Sequence, residues 1–173
     1  PDVLKETIDS PILLGDTPIA VSLPGDLEPV FGDERQLRQV MVNLLLNARE
    51  ATTGTKKDEK IHLSAENMIL PAENQWKLDE GRYVKVEVAD NGKGIPGELL
   101  TKIFDPYFST KTRGAQKGMG MGLAVCNAII KRHGGHISVT SELRKGTVVE
   151  FYLPAFNENL HKENLRDGGN KMG

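Results

Sequence analysis

Two asparagines, Asn43 and Asn47, stand one helical turn apart in an otherwise apolar stretch of this 173-residue chain. A helix brings residues i and i+4 to the same side, so both side-chain amides can face one ligand. Apolar helices rarely carry paired amides without a polar task. Taken with two glycine-rich segments further along the chain, the pair indicates a nucleotide that is held through a metal ion.

The first glycine-rich segment, Asp90-Asn-Gly-Lys-Gly-Ile-Pro, follows directly from an alternating stretch that predicts a strand. A carboxylate at the end of a strand can accept a hydrogen bond from the exocyclic amine of adenine. Gly92 and Gly94 have no side chains, which clears space for the ring. A plain turn after an edge strand is the other interpretation, because Asn-Gly turns are common.

The second glycine-rich segment, residues 117–123, reads Lys-Gly-Met-Gly-Met-Gly-Leu and leads into a predicted helix. Its glycines expose backbone N–H groups, and the helix N-terminus adds positive potential, so together they can bind phosphates. The segment lacks the ending of a Walker loop, and no strand directly precedes it as in a dinucleotide fingerprint. A hinge is an equally good interpretation, and Met119 and Met121 are either packing residues or lid anchors.

An aromatic segment at residues 103–111, Ile-Phe-Asp-Pro-Tyr-Phe-Ser-Thr-Lys, precedes the polar residues 112–117. It has two interpretations: the anchor of a mobile lid over a ligand, or a loop that packs against the core.

Hydrophobic periodicity predicts the elements that must position these residues. Asp33 predicts an N-cap with Gln36 as its capping-box partner, and that helix ends at Thr52. Two further helices are expected at 3–14 and 123–133. Alternation predicts five strands, at 18–23, 61–65, 83–89, 136–141 and 147–153. The connection at 66–82 is long and polar, and it carries the only tryptophan, Trp76.

Length and composition favour one domain with a single core. A net charge of -2 argues against a nucleic-acid or membrane-surface partner, no apolar run approaches a membrane span, and the N-terminus does not look like a signal peptide. The single cysteine, Cys126, fits a reducing compartment and a core position. The four histidines lack metal-like spacing and receive no role. Residues 157–173 are polar and patternless, and we expect a disordered tail.

The order of these segments is more specific than any one of them. It resembles the ATP-binding domain of sensor histidine kinases, in the GHKL superfamily, over roughly residues 3–154. The matching segments are the N box at 43–48, the first glycine box at 90–94, the F box at 104–108 and the second glycine box at 118–124. The amino-acid sequences of the boxes are most similar to those of the nitrogen-regulation type of kinase.

The resemblance implies an α/β two-layer sandwich over residues 1–156, with a mixed sheet of about five strands and about three helices on one face. It implies ATP and Mg²⁺ as cofactors. Asn47 would ligate Mg²⁺, Asn43 would hold phosphates or the metal's water shell, Asp90 would receive the adenine amino group, and Thr147 would support the adenine. The remaining implied nucleotide contacts are Gly92, Gly94, Ile95, Phe104, Lys111, Lys117, Gly118, Met119, Gly120, Met121, Gly122 and Leu123.

Asn43 also bears on the reaction. The ATPases of the superfamily carry a glutamate at the matching position as general base for water, whereas an asparagine cannot take a proton at neutral pH. The resemblance therefore implies weak ATP hydrolysis and catalysis of γ-phosphoryl transfer to a histidine. A hydrolytic GHKL ATPase, an anti-sigma-type serine kinase and a non-catalytic nucleotide-binding module are the alternatives.

The family's phosphoacceptor segment, a histidine followed by an acidic residue and a proline on a dimerising helix, is not found in this sequence. We therefore expect an isolated catalytic domain. Its expected partners are ATP, the dimerisation and phosphotransfer domain of the same kinase, and a response regulator downstream. The domain is expected to be monomeric and cytoplasmic, without nucleic-acid or membrane contact, within a homodimeric parent.

Overall fold

A five-stranded mixed sheet forms the centre of the fold. The structure is a computed structural model that describes residues 2–8, 18–54, 60–106 and 122–156. The strands are β1 Ile19–Ser22, β2 Ile61–Leu70, β3 Gly81–Asp90, β4 His136–Glu142 and β5 Gly146–Pro154. Their order across the sheet is β1-β2-β3-β5-β4. Only β1 and β2 run parallel, and the other neighbouring pairs are antiparallel.

The helices of the described segments are α1 Asp2–Ile8, α2 Glu34–Thr52 and α3 Gly122–Arg132, and a short 3-10 helix spans Gly97–Leu99. The central helix is α2, which contacts both α1 and α3 and lies against the sheet. Its apolar residues recur at helical spacing, and the resulting stripe is buried: Leu37, Val40, Met41, Leu44, Leu45 and Ala48. The predicted two-layer α/β sandwich is confirmed. Residues 9–14 of the first predicted helix lie outside the described residues, as does the predicted tail.

Alternate residues of the strands supply the other half of the core. Side chains of a strand point to opposite faces in turn, and the inward set is buried against the helices. This set includes Ile61, Leu63, Val84, Val86, Val88, Ile137, Phe151 and Leu153. Full burial of one such side chain stabilises a fold by about 1.5–3 kcal/mol. Within the described segments, no helix is long and apolar enough to cross a bilayer.

The connection predicted at 66–82 is shorter than its polarity suggested. Strand β2 continues to Leu70 and β3 begins at Gly81, so the loop covers only residues 71–80. Glu66 belongs to the outward face of the two strands, where it stands directly across from Lys85. Their side chains form an ion pair with 3.5 Å between Nζ and Oε1. A solvent-facing pair of strands therefore carries the composition that was interpreted as a loop.

The loop between β2 and β3 folds over the outer face of the sheet. Trp76 packs on Tyr152, with 4.4 Å between the ring centroids. These rings join a second apolar cluster with buried Leu70 and Tyr83. The outer face of the sheet is therefore covered at this end.

The start of α2 differs from the predicted capping box in one respect. Asp33 is the N-cap, as predicted, and its Oδ1 accepts hydrogen bonds from the backbone N–H groups of Arg35 and Gln36, at 2.9 and 3.1 Å. Its own N–H, however, donates to Nε2 of His133 at 3.0 Å rather than to the Gln36 side chain. Because Nε2 accepts, the ring proton sits on Nδ1, which lies 2.8 Å from the carbonyl oxygen of Ile129. The His133 ring thus joins the end of α3 to the start of α2.

Candidate functional site

The paired asparagines lie beside the start of α3. Asn43 and Asn47 are half-buried, at the edge of the apolar stripe of α2. Helix α3 packs against α2 and begins at Gly122, where an added Cβ would lie 3.7 Å from Nδ2 of Asn47. The first turn of a helix presents N–H groups that have no partner within the helix and carries positive potential. The Asn47 amide therefore lies beside a helix N-terminus that can bind an anion.

Cys126, one turn further along α3, lies next to Asn43. Its Sγ lies 3.9 Å from the carbonyl oxygen of Val40, and the Asn43 side chain lies beside the thiol. Burial raises the pKa of the Cys126 thiol to about 12, and the contact with Asn43 offsets only part of that rise. The thiol is therefore protonated at neutral pH and acts as the core residue that the sequence predicted.

Three polar residues form a row across the end of the sheet. The register places Asp90 of β3 opposite Thr147 of β5, and Thr147 opposite Ser141 of β4. The row continues the face that holds the core, because each residue follows the buried positions of its strand at a spacing of two. The structure thus brings together Asp90 and Thr147, the two residues predicted to contact adenine.

Asp90 is oriented by the loop that follows it. Its Oδ1 accepts a hydrogen bond from the Gly92 N–H at 2.8 Å. Burial raises the pKa of the Asp90 carboxyl, and backbone hydrogen bonds from Gly92 and Thr147 act in the opposite direction. A carboxylate has about four lone-pair sites. The two backbone donors therefore leave acceptor capacity for the donor group of a ligand.

Gly92 and Gly94 are required by the packing of the protein itself. A Cβ at Gly92 would lie 2.3 Å from the carbonyl oxygen of Ala51, at the end of α2. Gly94 has φ 68°, and its Cβ would lie 2.1 Å from the carbonyl oxygen of Glu142. The loop after β3 is thereby wedged between α2 and the end of β4. The contact of these glycines with a nucleotide ring stays a prediction.

Ser141 is a residue of this site that was not predicted from the sequence. Its Oγ accepts from the Ile95 N–H at 2.8 Å, lies 2.8 Å from the carbonyl oxygen of Gly146 and lies 3.0 Å from Oγ1 of Thr147. A signal for it was present, because a polar residue follows Ile137 and Val139 at the inward positions of an alternating strand. Ile95, predicted as a nucleotide contact, is tied to Thr147 through this hydroxyl.

Of the aromatic segment, the structure describes residues 103–106. Ile103 is buried, and Phe104 is half-buried against the main core. This agrees with the core-packing interpretation for the start of the segment. The predicted lid and most of the predicted phosphate contacts lie outside the described residues, namely Lys111, Lys117, Gly118, Met119, Gly120 and Met121. The first turn of α3 retains Gly122 and Leu123, both half-buried.

A separate depression on the outer face is not a second candidate. Its lining includes Ser64, Glu66, Lys85 and Glu87. The Lys85 ammonium lies 2.8 Å from Glu150 and 3.5 Å from both Glu66 and Glu87. Burial works against the charged form, but the hydrogen bond and charge of Glu150 still raise the pKa of Lys85. Its charge is already neutralised by carboxylates, and the sheet separates it from Asp90.

The fold and the site define an α/β domain with a half-buried carboxylate at the end of the sheet and an amide pair beside a helix N-terminus. Residues 32–157 match the family described as "Histidine kinase-, DNA gyrase B-, and HSP90-like ATPase". The chain belongs to this ATPase family.

Within the family, the relatives of the chain are sensor kinases. Sensor kinase CckA of Brucella abortus (strain 2308) is 44% identical over 77% of this chain, and the match covers 14% of CckA. Adaptive-response sensory kinase SasA of Synechococcus sp. (strain CC9311) is 37% identical over 87% of this chain and 36% of SasA. The chain thus spans about a third or less of these relatives.

A solved structure gives the same grouping. Full-length ShkA, solved in complex with AMPPNP, superposes with a TM-score of 0.67 at 25% identity, over 89% of this chain and 29% of ShkA. The resemblance to histidine kinase catalytic domains is therefore confirmed, while the nitrogen-regulation type stays a prediction.

Proposed function

We propose that this domain, residues 1–156, binds Mg²⁺-ATP and donates the γ-phosphoryl group to a histidine on a separate dimerisation and phosphotransfer domain. The observation that carries the proposal is the apposition of Asn47 and the first turn of α3, with Asp90 and Thr147 in one row at the end of the sheet. ShkA, with the same fold, was solved with an ATP analogue bound. The proposed phosphoacceptor domain and response regulator are partners outside this chain.

Asp90 and Thr147 would hold the base. A half-buried carboxylate that keeps acceptor capacity suits a purine amino group, because the amine is a donor on both of its hydrogens. The wedged loop at Gly92 and Gly94 fixes the position of Asp90 relative to α2. Binding energy at the base would then orient the phosphates toward α3.

The phosphate end would be held by Asn47 and the N-terminus of α3. Backbone N–H groups in the first turn, around Gly122 and Leu123, would donate to phosphate oxygens. Lys111 and Lys117 are proposed to contribute positive charge, and Asn43 is proposed to contact the phosphates or the water around the metal.

The donor set at Asn47 fits Mg²⁺. The described residues contain no group of three or more His, Cys, Asp or Glu side chains that could hold a metal, so the domain offers a neutral amide oxygen instead. Mg²⁺ takes oxygen ligands, keeps several waters and is commonly held by one or two protein groups together with substrate phosphates. When bound, the ion would neutralise the charge that develops during phosphoryl transfer.

Asn43 favours transfer over hydrolysis. An amide cannot accept a proton at neutral pH, so a water placed beside it gains no general base. The neighbouring Cys126 thiol cannot replace that base, because burial raises its pKa to about 12 and leaves no thiolate for proton abstraction. We therefore propose a kinase with low intrinsic ATPase activity, acting in the cytoplasm where ATP is available.

Titration of the domain with AMPPNP, with and without Mg²⁺, tests the metal role. Asn47→Ala should lower the Mg²⁺-dependent part of the affinity by at least about tenfold, since loss of groups that merely orient ligands already costs 10–100-fold. Gln39→Ala is the matched control, because it removes an exposed amide from the same helix about 12 Å earlier along the axis. A Mg²⁺-dependent affinity that Asn47→Ala leaves unchanged contradicts the assignment.

A further inference from the structure

Ser141 joins the loop after β3 to the start of β5 through one oxygen atom. Its Oγ lies 2.8 Å from the Ile95 N–H nitrogen, 2.8 Å from the carbonyl oxygen of Gly146 and 3.0 Å from Oγ1 of Thr147. These partners belong to the loop after β3 and to the first two residues of β5. Ser141 is not itself a predicted nucleotide contact, so we argue its role through Ile95 and Thr147, which are.

The three contacts determine which hydroxyl donates to which. A serine hydroxyl has one proton and two lone pairs. The Gly146 carbonyl can only accept, so the proton of Ser141 points to it. The Ile95 N–H can only donate, and it takes one lone pair of Ser141. The contact between Ser141 and Thr147 must therefore use the Thr147 proton, which donates to the remaining lone pair of Ser141.

We propose that Ser141 is a positioning residue. It accepts the hydroxyl proton of Thr147, so that this proton points away from a bound ligand, and the site thereby favours 6-amino over 6-oxo purines. This inference rests on the proposed function, in which the base binds at Asp90 and Thr147. With its proton committed, Thr147 offers only lone pairs to a ligand. The ionised Asp90 beside it is also an acceptor, so the side chains of Asp90 and Thr147 present acceptors alone.

Two acceptors at the base would distinguish an amino group from an oxygen at position 6 of the purine ring. The amino group of adenine donates to Asp90, and one water can donate a hydrogen each to the adjacent ring nitrogen and to Thr147. The oxygen of a 6-oxo purine would meet acceptors and remain unpaired in a half-buried site, which is costly. Freeing the Thr147 proton would give that oxygen a donor.

Ser141→Ala removes the acceptor for Thr147 and lets its hydroxyl rotate. The preference for ATP over ITP should fall about five- to tenfold, which corresponds to one hydrogen bond gained or lost. ITP is the suitable probe because oxygen replaces the 6-amino group, with a proton on the adjacent ring nitrogen, and because it carries no 2-amino group. Ser141→Thr keeps the hydroxyl and should restore the preference.

The experiment is competition of Mg²⁺-ATP and Mg²⁺-ITP against a fluorescent ATP analogue, for wild-type domain, Ser141→Ala and Ser141→Thr. Ser138→Ala is the control, because it removes a hydroxyl from the outer face of the same strand. Weaker binding of both nucleotides by one common factor, with the ATP to ITP ratio unchanged, would overturn the proposal and leave Ser141 a structural residue.

Two additions keep the test decisive. If Ser141→Ala does not fold, Ser141→Cys fills nearly the same volume with a weak acceptor and should show the same loss of preference. In a Thr147→Val background, Ser141→Ala should not alter the ratio further, and a full additional effect would contradict action through Thr147. A wild-type domain that binds neither nucleotide would instead refute the proposed function.

Discussion

Asp90→Asn is the substitution that most sharply separates binding from stability in this domain. The change is nearly isosteric, and the amide oxygen can still accept the hydrogen bond that Gly92 donates at 2.8 Å. The amide nitrogen then replaces the other carboxylate oxygen, so a donor stands where an acceptor stood. A purine amino group would meet a donor, so the hydrogen bond to the base is lost and one buried donor remains unpaired.

The expected loss of ATP affinity is about 100-fold, because a hydrogen bond to a charged group contributes about 1.5–3 kcal/mol and a factor of 10 corresponds to about 1.4 kcal/mol. The thermal stability of the nucleotide-free domain should rise. Burial raises the pKa of Asp90 above its ordinary value, so the ionised carboxylate is disfavoured in the folded state. That cost is absent below the unfolded pKa of about 4 and grows as pH rises through the raised folded pKa.

Nucleotide-free Asp90→Asn should therefore melt at a higher temperature than wild type at pH 7, and the difference should shrink toward pH 4. Calorimetry measures the melting temperatures, and titration with ATP measures affinity. Asp79→Asn, an exposed aspartate, controls for the change in net charge and should alter neither. An ATP affinity within about twofold of wild type, or a lower melting temperature at pH 7, would refute the reasoning.

Three further substitutions test contacts that stabilise the fold. Gly94→Ala should destabilise by more than roughly 2 kcal/mol in urea unfolding, because φ is positive and the new Cβ meets the Glu142 carbonyl oxygen. Gly97→Ala, whose Cβ meets nothing, should not. Trp76→Ala should cost about 2 kcal/mol through its lost packing on Tyr152; a changed ATP affinity would contradict its placement away from the site. His133→Ala should cost about 1 kcal/mol and speed amide hydrogen exchange at Asp33; unchanged exchange there would count against the histidine cap.

Local periodicity was enough to predict most of the fold. The apolar stripe of α2 and the alternation of β3 and β5 are properties of neighbouring residues, so the helix and strands followed from the sequence. The polar outer face of β2 was the exception. Glu66 and Lys85 face solvent on paired strands, and a polar strand face has the same composition as a loop.

The candidate site could be predicted only where a motif carries it. Asn47, Asp90 and Thr147 stand in recognisable segments, whereas Ser141 depends on a register between three strands that no short segment encodes. The same holds for His133, whose ring accepts from Asp33, a residue far away in the chain. Contacts between distant segments are set by the packing of the whole domain.

Transfer of label from γ-phosphate-labelled ATP to the dimerisation domain of the parent kinase tests the central claim most directly. We expect Mg²⁺-dependent transfer to a histidine, seen as acid-labile and base-stable label, with little release of inorganic phosphate. Asn47→Ala should abolish the transfer and Gln39→Ala should preserve it. Rapid release of inorganic phosphate without labelled protein, or acid-stable label on a serine, would contradict the account.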